Sequence, residues 1–313
     1  MIRALFVFTW VPVMAQATYP IVGGAGYRGP ALTFVAPCQL LTIYTNIDSS
    51  SNSATAGSLP LPLTLAGISA QVGVLASNFS VLTYDAPILE VFQAVVAYSL
   101  NTGALVQFTE PAATIQIPCE IPFPAGGVNL LLSGASNPGR GAALRLFANP
   151  DAIHIIRSGD SLELKASAGF LPNDLPSVLH ADGSAVTSKN PSHPGETVSV
   201  WAVGLGLPSS GTVKTGEANP SPALTTSVNV DFDFRSNAGP SMPSATDTGG
   251  SRVPARKVTA YFASGFVGLY QINVTIPAPP VPLEPCGGVY QSNLTINIGG
   301  SASFDGAGIC VAP

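Results

Sequence analysis

Apolar and polar residues alternate with a period of two in short runs along most of the chain, and no long stretch repeats at the helical interval. In the first half, Leu40-Leu41-Thr42-Ile43-Tyr44, Ala113-Thr114-Ile115-Gln116-Ile117 and Val128-Asn129-Leu130-Leu131-Leu132 predict strands. In the second half, Thr197-Val198-Ser199-Val200-Trp201, Val228-Asn229-Val230-Asp231-Phe232, Gln271-Ile272-Asn273-Val274-Thr275 and Leu294-Thr295-Ile296-Asn297-Ile298 do the same. Asn137-Pro138-Gly139 and Asp182-Gly183 predict turns between them. Many short strands separated by Gly and Pro turns predict an all-β sandwich architecture.

The pattern also repeats. Ala36-Pro37-Cys38-Gln39-Leu40-Leu41-Thr42-Ile43-Tyr44 resembles His193-Pro194-Gly195-Glu196-Thr197-Val198-Ser199-Val200-Trp201, each a Pro-led turn feeding a strand that ends in an aromatic. Thr114-Ile115-Gln116-Ile117-Pro118 is echoed by Asn273-Val274-Thr275-Ile276-Pro277. With 313 residues, enough for two ordinary domains, two tandem immunoglobulin-like β-sandwich units are expected. The Pro-rich stretch 169–176 sets the division, giving an N-terminal unit over 16–170 and a C-terminal unit over 171–313. A short linker implies packed units.

Residues 1–15 have the organisation of an export signal. Arg3 supplies the positive charge, Ala4 to Val13 a short apolar run, and Val13-Met14-Ala15 the small residues before a cut at Gln16. The run is too short to span a membrane, and no later segment has the ~20 apolar residues a spanning helix needs. The four cysteines lack Cys-x-x-Cys or zinc spacing, and an even count in an exported chain implies two disulfides with three possible connectivities. Cys286 and Cys310 flank a candidate hairpin and are expected to pair, leaving Cys38 with Cys119. Only 9% of residues are charged, so the surface is built from Ser, Thr, Asn, Gln and backbone. A net charge of −5, becoming −6 when Arg3 is cleaved away, offers no surface for phosphate backbones and excludes nucleic acid as the expected partner.

Several side-chain groups have the composition of a site. His180, Asp182 and Ser184 combine triad residue types, but a triad converges from distant segments and Asp182-Gly183 marks a hairpin tip. His154 alternates with Ile153 and Ile155, which makes it a solvent-facing or hydrogen-bonded strand residue, and His193 belongs to a turn. Asp231 and Asp233 share a strand face, and Asp247 could add an oxygen for calcium. The calcium-loop signature is missing, and Arg235 continues that face as a counter-charge. Glu90, Glu110, Glu120 and Glu163 provide carboxylates without evidence that any two stand at glycosidase separation. Tyr44, Tyr84, Phe92, Trp201, Phe232, Phe234, Tyr261 and Tyr270 form either a sugar-stacking platform or, as aromatics on sandwich strands usually do, core. Gly23-Gly24, Gly126-Gly127 and Gly299-Gly300 are expected in turns, and Arg252, Arg256 and Lys257 in an exposed loop. No catalytic, metal or cofactor residue is assigned.

A family resemblance completes the picture. Val178-Leu179-His180-Ala181-Asp182-Gly183-Ser184, Asn190-Pro191, Pro194-Gly195-Glu196 and Ala202-Val203-Gly204-Leu205-Gly206 resemble an uncharacterised C-terminal domain family of exported proteins in Solibacter-type soil bacteria. Gly265-Phe266-Val267-Gly268-Leu269-Tyr270-Gln271-Ile272-Asn273-Val274 is similar to its second motif, and the run from Gln291-Ser292-Asn293 to Phe304-Asp305-Gly306 to its ending. Thr55-Ala56-Gly57-Ser58-Leu59-Pro60-Leu61-Pro62 and Leu65-Ala66-Gly67-Ile68 resemble the repeat upstream in such proteins, and the strand-and-turn grammar has a looser similarity to IPT/TIG domains. The chain departs from the pattern at Ala36-Pro37-Cys38, where Pro-Gly is usual, and between Asp233 and Val253. The resemblance implies export and an immunoglobulin-like fold but no activity. The expectation is therefore a secreted or extracytoplasmic, non-catalytic interaction or structural module, binding a surface protein or polysaccharide, the alternative being an extracellular polymer hydrolase. With so few carboxylates, acid is expected to destabilise the protein less than most.

Overall fold

The computed structural model describes residues 22–27, 32, 34–45, 53–75, 80–99, 105–122, 127–134, 143–161, 178–209, 211–235, 252–280, 282–283, 292–297 and 303–313. The expected export signal, the Pro-rich division at 169–176, Glu163, Asp247 and Cys286 lie outside them. Among the described residues every regular element is a strand.

The first eleven strands are β1 (Val22–Gly26), β2 (Phe34–Val35), β3 (Leu40–Thr45), β4 (Ala54–Thr55), β5 (Thr64–Leu65), β6 (Ile68–Leu75), β7 (Val81–Ala86), β8 (Ile88–Ser99), β9 (Leu105–Gln116), β10 (Val128–Ser133) and β11 (Ala143–Ala148). They form one sheet ordered β1-β3-β9-β8-β4 and a second ordered β2-β11-β10-β6-β5, with β7 also on β6. Alternation does the sorting: in β10, Val128, Leu130 and Leu132 are fully buried while Asn129, Leu131 and Ser133 are only partly covered. These three meet Leu41, Ile43, Ile88 and Ile115 in one core.

The second group comprises β12 (His154–Ile155), β13 (Val178–Leu179), β14 (Thr197–Val203), β15 (Thr225–Thr226), β16 (Asn229–Asp233), β17 (Arg252–Pro254), β18 (Val258–Phe262), β19 (Leu269–Thr275), β20 (Ser292–Asn297) and β21 (Phe304–Ile309). One sheet runs β12-β14-β19-β18-β15, with β13 on β14, and the other β17-β16-β20-β21. Val198, Val200, Phe232, Phe262, Tyr270 and Ile272 pack between them. The chain is thus all-β and built as two immunoglobulin-like sandwiches. β12 pairs with β14, so the chain joins the second unit's sheet upstream of residues 169–176.

The repeat seen in the sequence is a repeated piece of geometry. β3 pairs antiparallel with β9, placing Leu41 opposite Ile115, and β14 pairs with β19, placing Val198 opposite Val274. Before β14, Glu196 N donates to His193 O and the Glu196 carboxylate accepts from His193 N. Before β3, Gln39 N donates to Ala36 O and Gln39 Oε1 accepts from Ala36 N. Each turn needs a positive φ at its third residue, supplied by Gly195 at 87° and by Cys38 at 61°. Cys38 therefore occupies the glycine position of a turn that usually reads Pro-Gly. Its sulfur is bonded to Cys119, directly after the matching Ile117-Pro118 step. Cys310 is also disulfide-bonded.

One turn expectation is corrected. Gly23 and Gly24 lie inside β1, where a register shift against β3 between Val22 and Gly24 marks a bulge. A strand Gly-Gly pair has little side chain to hold regular pairing, and the shift occurs there.

Candidate functional site

The two sandwiches meet along a dense joint, and the most site-like features of the molecule lie on it. Leu61 N donates to Gly216 O at 2.8 Å, and Gly216 N donates to Gln116 Oε1 at 2.6 Å. Thr215 Oγ1 accepts from Cys119 N at 2.9 Å and bonds the Glu120 carboxylate. Apolar packing is shared too. Val203, Ala263, Val267 and Leu269 of the second unit belong to the first unit's core, and Cys38 and Cys119 to the second unit's core.

A cleft of about 340 Å³ opens at this joint. Leu59, Leu61 and Leu89 form its wall in the first unit, and Phe266, Val267 and Leu269 its wall in the second. Among the described residues its one ionisable lining residue is Glu90, which accepts a long hydrogen bond from Thr55 Oγ1 at 3.4 Å. The loop carrying Phe266 is clasped by buried Asn219. Asn219 Nδ2 donates to Ala263 O and Leu269 O at 3.0 and 3.1 Å, and Asn219 N donates to Phe266 O. Phe266 is thereby held half-exposed at the rim, tilted against Trp201 at 6.1 Å. Fixing an apolar ring at a water-facing edge costs free energy that a partner recovers by covering it.

Behind the cleft, residues 154–161 carry a polar cluster. His154 Nε2 lies 2.8 Å from Asp160 Oδ2 and Nδ1 3.4 Å from Asp305 Oδ2, while Arg157 Nη2 donates to Asp305 Oδ1 at 2.9 Å. The His154 ring is stacked on Tyr27, whose hydroxyl accepts from Gln39 Nε2 at 2.6 Å. Burial pushes the Tyr27 phenol upward. For Asp305, burial favours the neutral acid, but His154 and Arg157 outweigh it and hold the carboxyl below its usual range.

The other candidate residues are absorbed into structure. Asp182 Oδ1 accepts from Ser184 N at 2.9 Å and from Ser184 Oγ at 2.7 Å, closing the expected hairpin tip. His180 instead bonds Glu196 through Nδ1, with Nε2 3.2 Å from the Asn190 carbonyl oxygen, so the three triad types are not aligned. His193 sits in its turn, Nδ1 3.2 Å from Pro313 O. Asp233 is gripped by Arg235, Nη2 to Oδ2 at 2.6 Å, as the counter-charge expectation required. Phe232 and Phe234 are buried and stacked at 5.8 Å. Tyr44 and Tyr270 are core, whereas Phe34 and Phe147, not singled out in the sequence, are exposed and adjacent at 5.8 Å. Among the described residues no group of three or more His, Cys, Asp or Glu is placed to hold a metal ion. No described helix is long and apolar enough to cross a membrane.

Asp233 gives a pH expectation. Burial raises its proton affinity, but the Arg235 hydrogen bonds and charge lower it further, so the folded value lies below the unfolded one. Its contribution is present above the unfolded value of about 3.9 and is lost as pH falls through the folded value. Asp233→Asn is expected to lower the melting temperature at pH 7, and by progressively less as pH falls below about 3.9.

Fold and joint together define a class: two immunoglobulin-like sandwiches joined through turns and strand ends, with an apolar cleft between them. No protein-family model matches the chain, and no curated protein matches it. Among solved structures, it aligns with the C-terminal domain of the AgI/II polypeptide BspA of Streptococcus agalactiae at 10% identity. That alignment covers 94% of this chain and 100% of the other, with a TM-score of 0.20.

Proposed function

We propose that the chain is an exported, non-catalytic binding module that captures a surface protein through the cleft between its two units. The observation that carries the reading is the fixed Phe266 rim over an apolar cavity of about 340 Å³, sized for one or two large apolar side chains. Export is supported by the expected leader and by the Cys38–Cys119 disulfide, which belongs to oxidising compartments. Resemblance to an exported domain family of Solibacter-type bacteria agrees with this. The non-catalytic reading is supported by His180, Asp182 and Glu120, each engaged in a turn or a cross-unit bond, and by the cleft, where Glu90 is the one carboxylate among the described lining residues and so lacks a second for glycosidase chemistry. A second reading, polysaccharide binding, is favoured by the exposed Phe34–Phe147 pair on the paired strands β2 and β11 of the first unit.

Incubating the oxidised protein with envelope extract, peptidoglycan and insoluble polysaccharides, and assaying the supernatants for released product, tests both. Retention on a proteinaceous fraction is expected, with Phe266→Ala weakening it about tenfold or more. Retention on polysaccharide lost in Phe34→Ala/Phe147→Ala would select the second reading. Soluble sugars or peptides in the supernatant would overturn both in favour of a hydrolase.

A further inference from the structure

His154 lies where three separate parts of the chain converge. Its ring rests flat on Tyr27 at the end of β1, 3.8 Å between centroids and 5° from parallel. Nε2 meets Asp160 in its own segment, and Nδ1 meets Asp305 in β21. Arg157 brings Nη1 to 3.5 Å from Nδ1, and its Nη2 bonds both Asp305 and the Gly306 carbonyl. The segment is tied to the first unit by Ser161, whose N donates to Tyr27 O at 2.8 Å and whose Oγ bonds Thr42 Oγ1 at 2.5 Å. It is tied to the second unit by Ile155 N, which donates to Asp305 Oδ2 at 2.7 Å. The titratable and charged groups facing the ring are therefore Asp160 and Arg157 from its own segment, Asp305 from β21 and Tyr27, the residue after β1.

An ionised carboxylate only accepts hydrogen bonds, so His154 satisfies both Asp160 and Asp305 only when both ring nitrogens carry protons. A neutral ring keeps one donor and turns a lone pair on the other side. Nδ1 then has a ready donor in Arg157 Nη1.

We propose that His154 is a pH-responsive latch on the joint between the two sandwiches. As imidazolium it bridges Asp160 to Asp305 beneath Tyr27 and holds the 154–161 segment against β21. On deprotonation the Nδ1 proton leaves to solvent, the nitrogen passes from Asp305 to Arg157, and the segment loosens. Burial by itself favours the neutral ring, but the hydrogen bonds and charges of Asp160 and Asp305 overcome it, so the folded histidine titrates above its ordinary value. The latch is fully closed below the unfolded value of about 6.5 and opens as pH rises through the higher folded value. The same segment contributes Ile156 and Ser161 to the cleft, but the latch operates with the cleft empty, so its test does not depend on a ligand.

Trp201 is a built-in reporter, because its carbonyl accepts from Ile156 N at 3.0 Å, two residues from His154. Of the two tryptophans in the chain, Trp10 lies in the expected export signal, so the protein beginning at Gln16 carries Trp201 as its sole tryptophan. In that protein, Trp201 emission and the His154 imidazole NMR signals are expected to titrate with one midpoint above 6.5. His154→Gln is expected to abolish the emission transition, and His180→Gln to leave it intact. If His154→Gln does not fold, Asp305→Asn serves, and is expected to lower the His154 midpoint by about one pH unit, a tenfold change in proton affinity. Emission that stays flat while His154 titrates, a transition that survives in His154→Gln, or a midpoint unmoved by Asp305→Asn would each overturn the latch.

Discussion

Replacing Cys38 and Cys119 together by serine is expected to cost about 4–5 kcal/mol, read as a lower denaturant midpoint in urea unfolding. The bridge closes a loop with a sequence separation of 81 residues, and opening such a loop releases about 4.5 kcal/mol of chain entropy into the unfolded state. Both half-cystines are buried and belong to the core of the second unit, although they are joined to strands of the first. The loss is therefore expected to appear in both units as one cooperative shift rather than as a separate early transition. The turn geometry separates cross-link from backbone. Cys38 has a φ of 61°, a value that costs any side chain about 1–2 kcal/mol and glycine almost nothing. Cys38→Gly/Cys119→Ser is accordingly expected to recover about 1 kcal/mol relative to the double serine variant. A double serine variant within about 1 kcal/mol of the parent would mean that the joint, not the bridge, already constrains the loop.

That bridge also marks how far the sequence could be read. The period-two runs at Leu40, Val128, Thr197 and Gln271 became β3, β10, β14 and β19 because alternating burial is written directly into the order of residues. The strand β9 was only half legible, since Pro111 reads as a breaker. Pro111 is tolerated because pairing with β3 stops at Ala112, so its missing N–H falls where no neighbouring strand requires a donor. The repeat was visible as similar residues, whereas the reason for the odd Cys38 was visible only as an angle shared with Gly195. The short linker implied that the units pack, but the residues of the joint were not legible. Its bonds run between residues far apart, such as Gly216 to Gln116, separated by 100 positions, and Arg157 to Asp305, separated by 148. No local pattern encodes such a pairing, and Asn219, which fixes the rim loop, carries no period or spacing that would single it out. His154 was expected to be a hydrogen-bonded or solvent-facing strand residue. It proved hydrogen-bonded, but its two carboxylate partners come from opposite ends of the second half of the chain.

The joint itself can be probed by one methyl group. Gly268 has a φ of 60°, and a Cβ there would stand 2.5 Å from the Cys38 carbonyl oxygen and 3.2 Å from Leu40 Cγ. The first contact is with backbone of the opposite unit, which cannot rotate aside. Gly268→Ala therefore combines left-handed strain of about 1–2 kcal/mol with an overpacking cost of about 1–3 kcal/mol, for a total near 2–5 kcal/mol. Gly183 supplies the control, because its φ is 83° and a Cβ there meets nothing within 4 Å. Gly183→Ala is expected to cost only the backbone strain, about 1–2 kcal/mol. The difference between the two variants isolates the cost of the clash across the joint. Since Val267 and Leu269 flank Gly268 and line the cleft, Gly268→Ala should also weaken ligand retention, while Gly183→Ala leaves it unchanged. Equal destabilisation by the two alanines, measured by urea unfolding, would show that the units yield at the joint without cost. The cleft would then be a gap between two independently folded sandwiches rather than a rigid receptor.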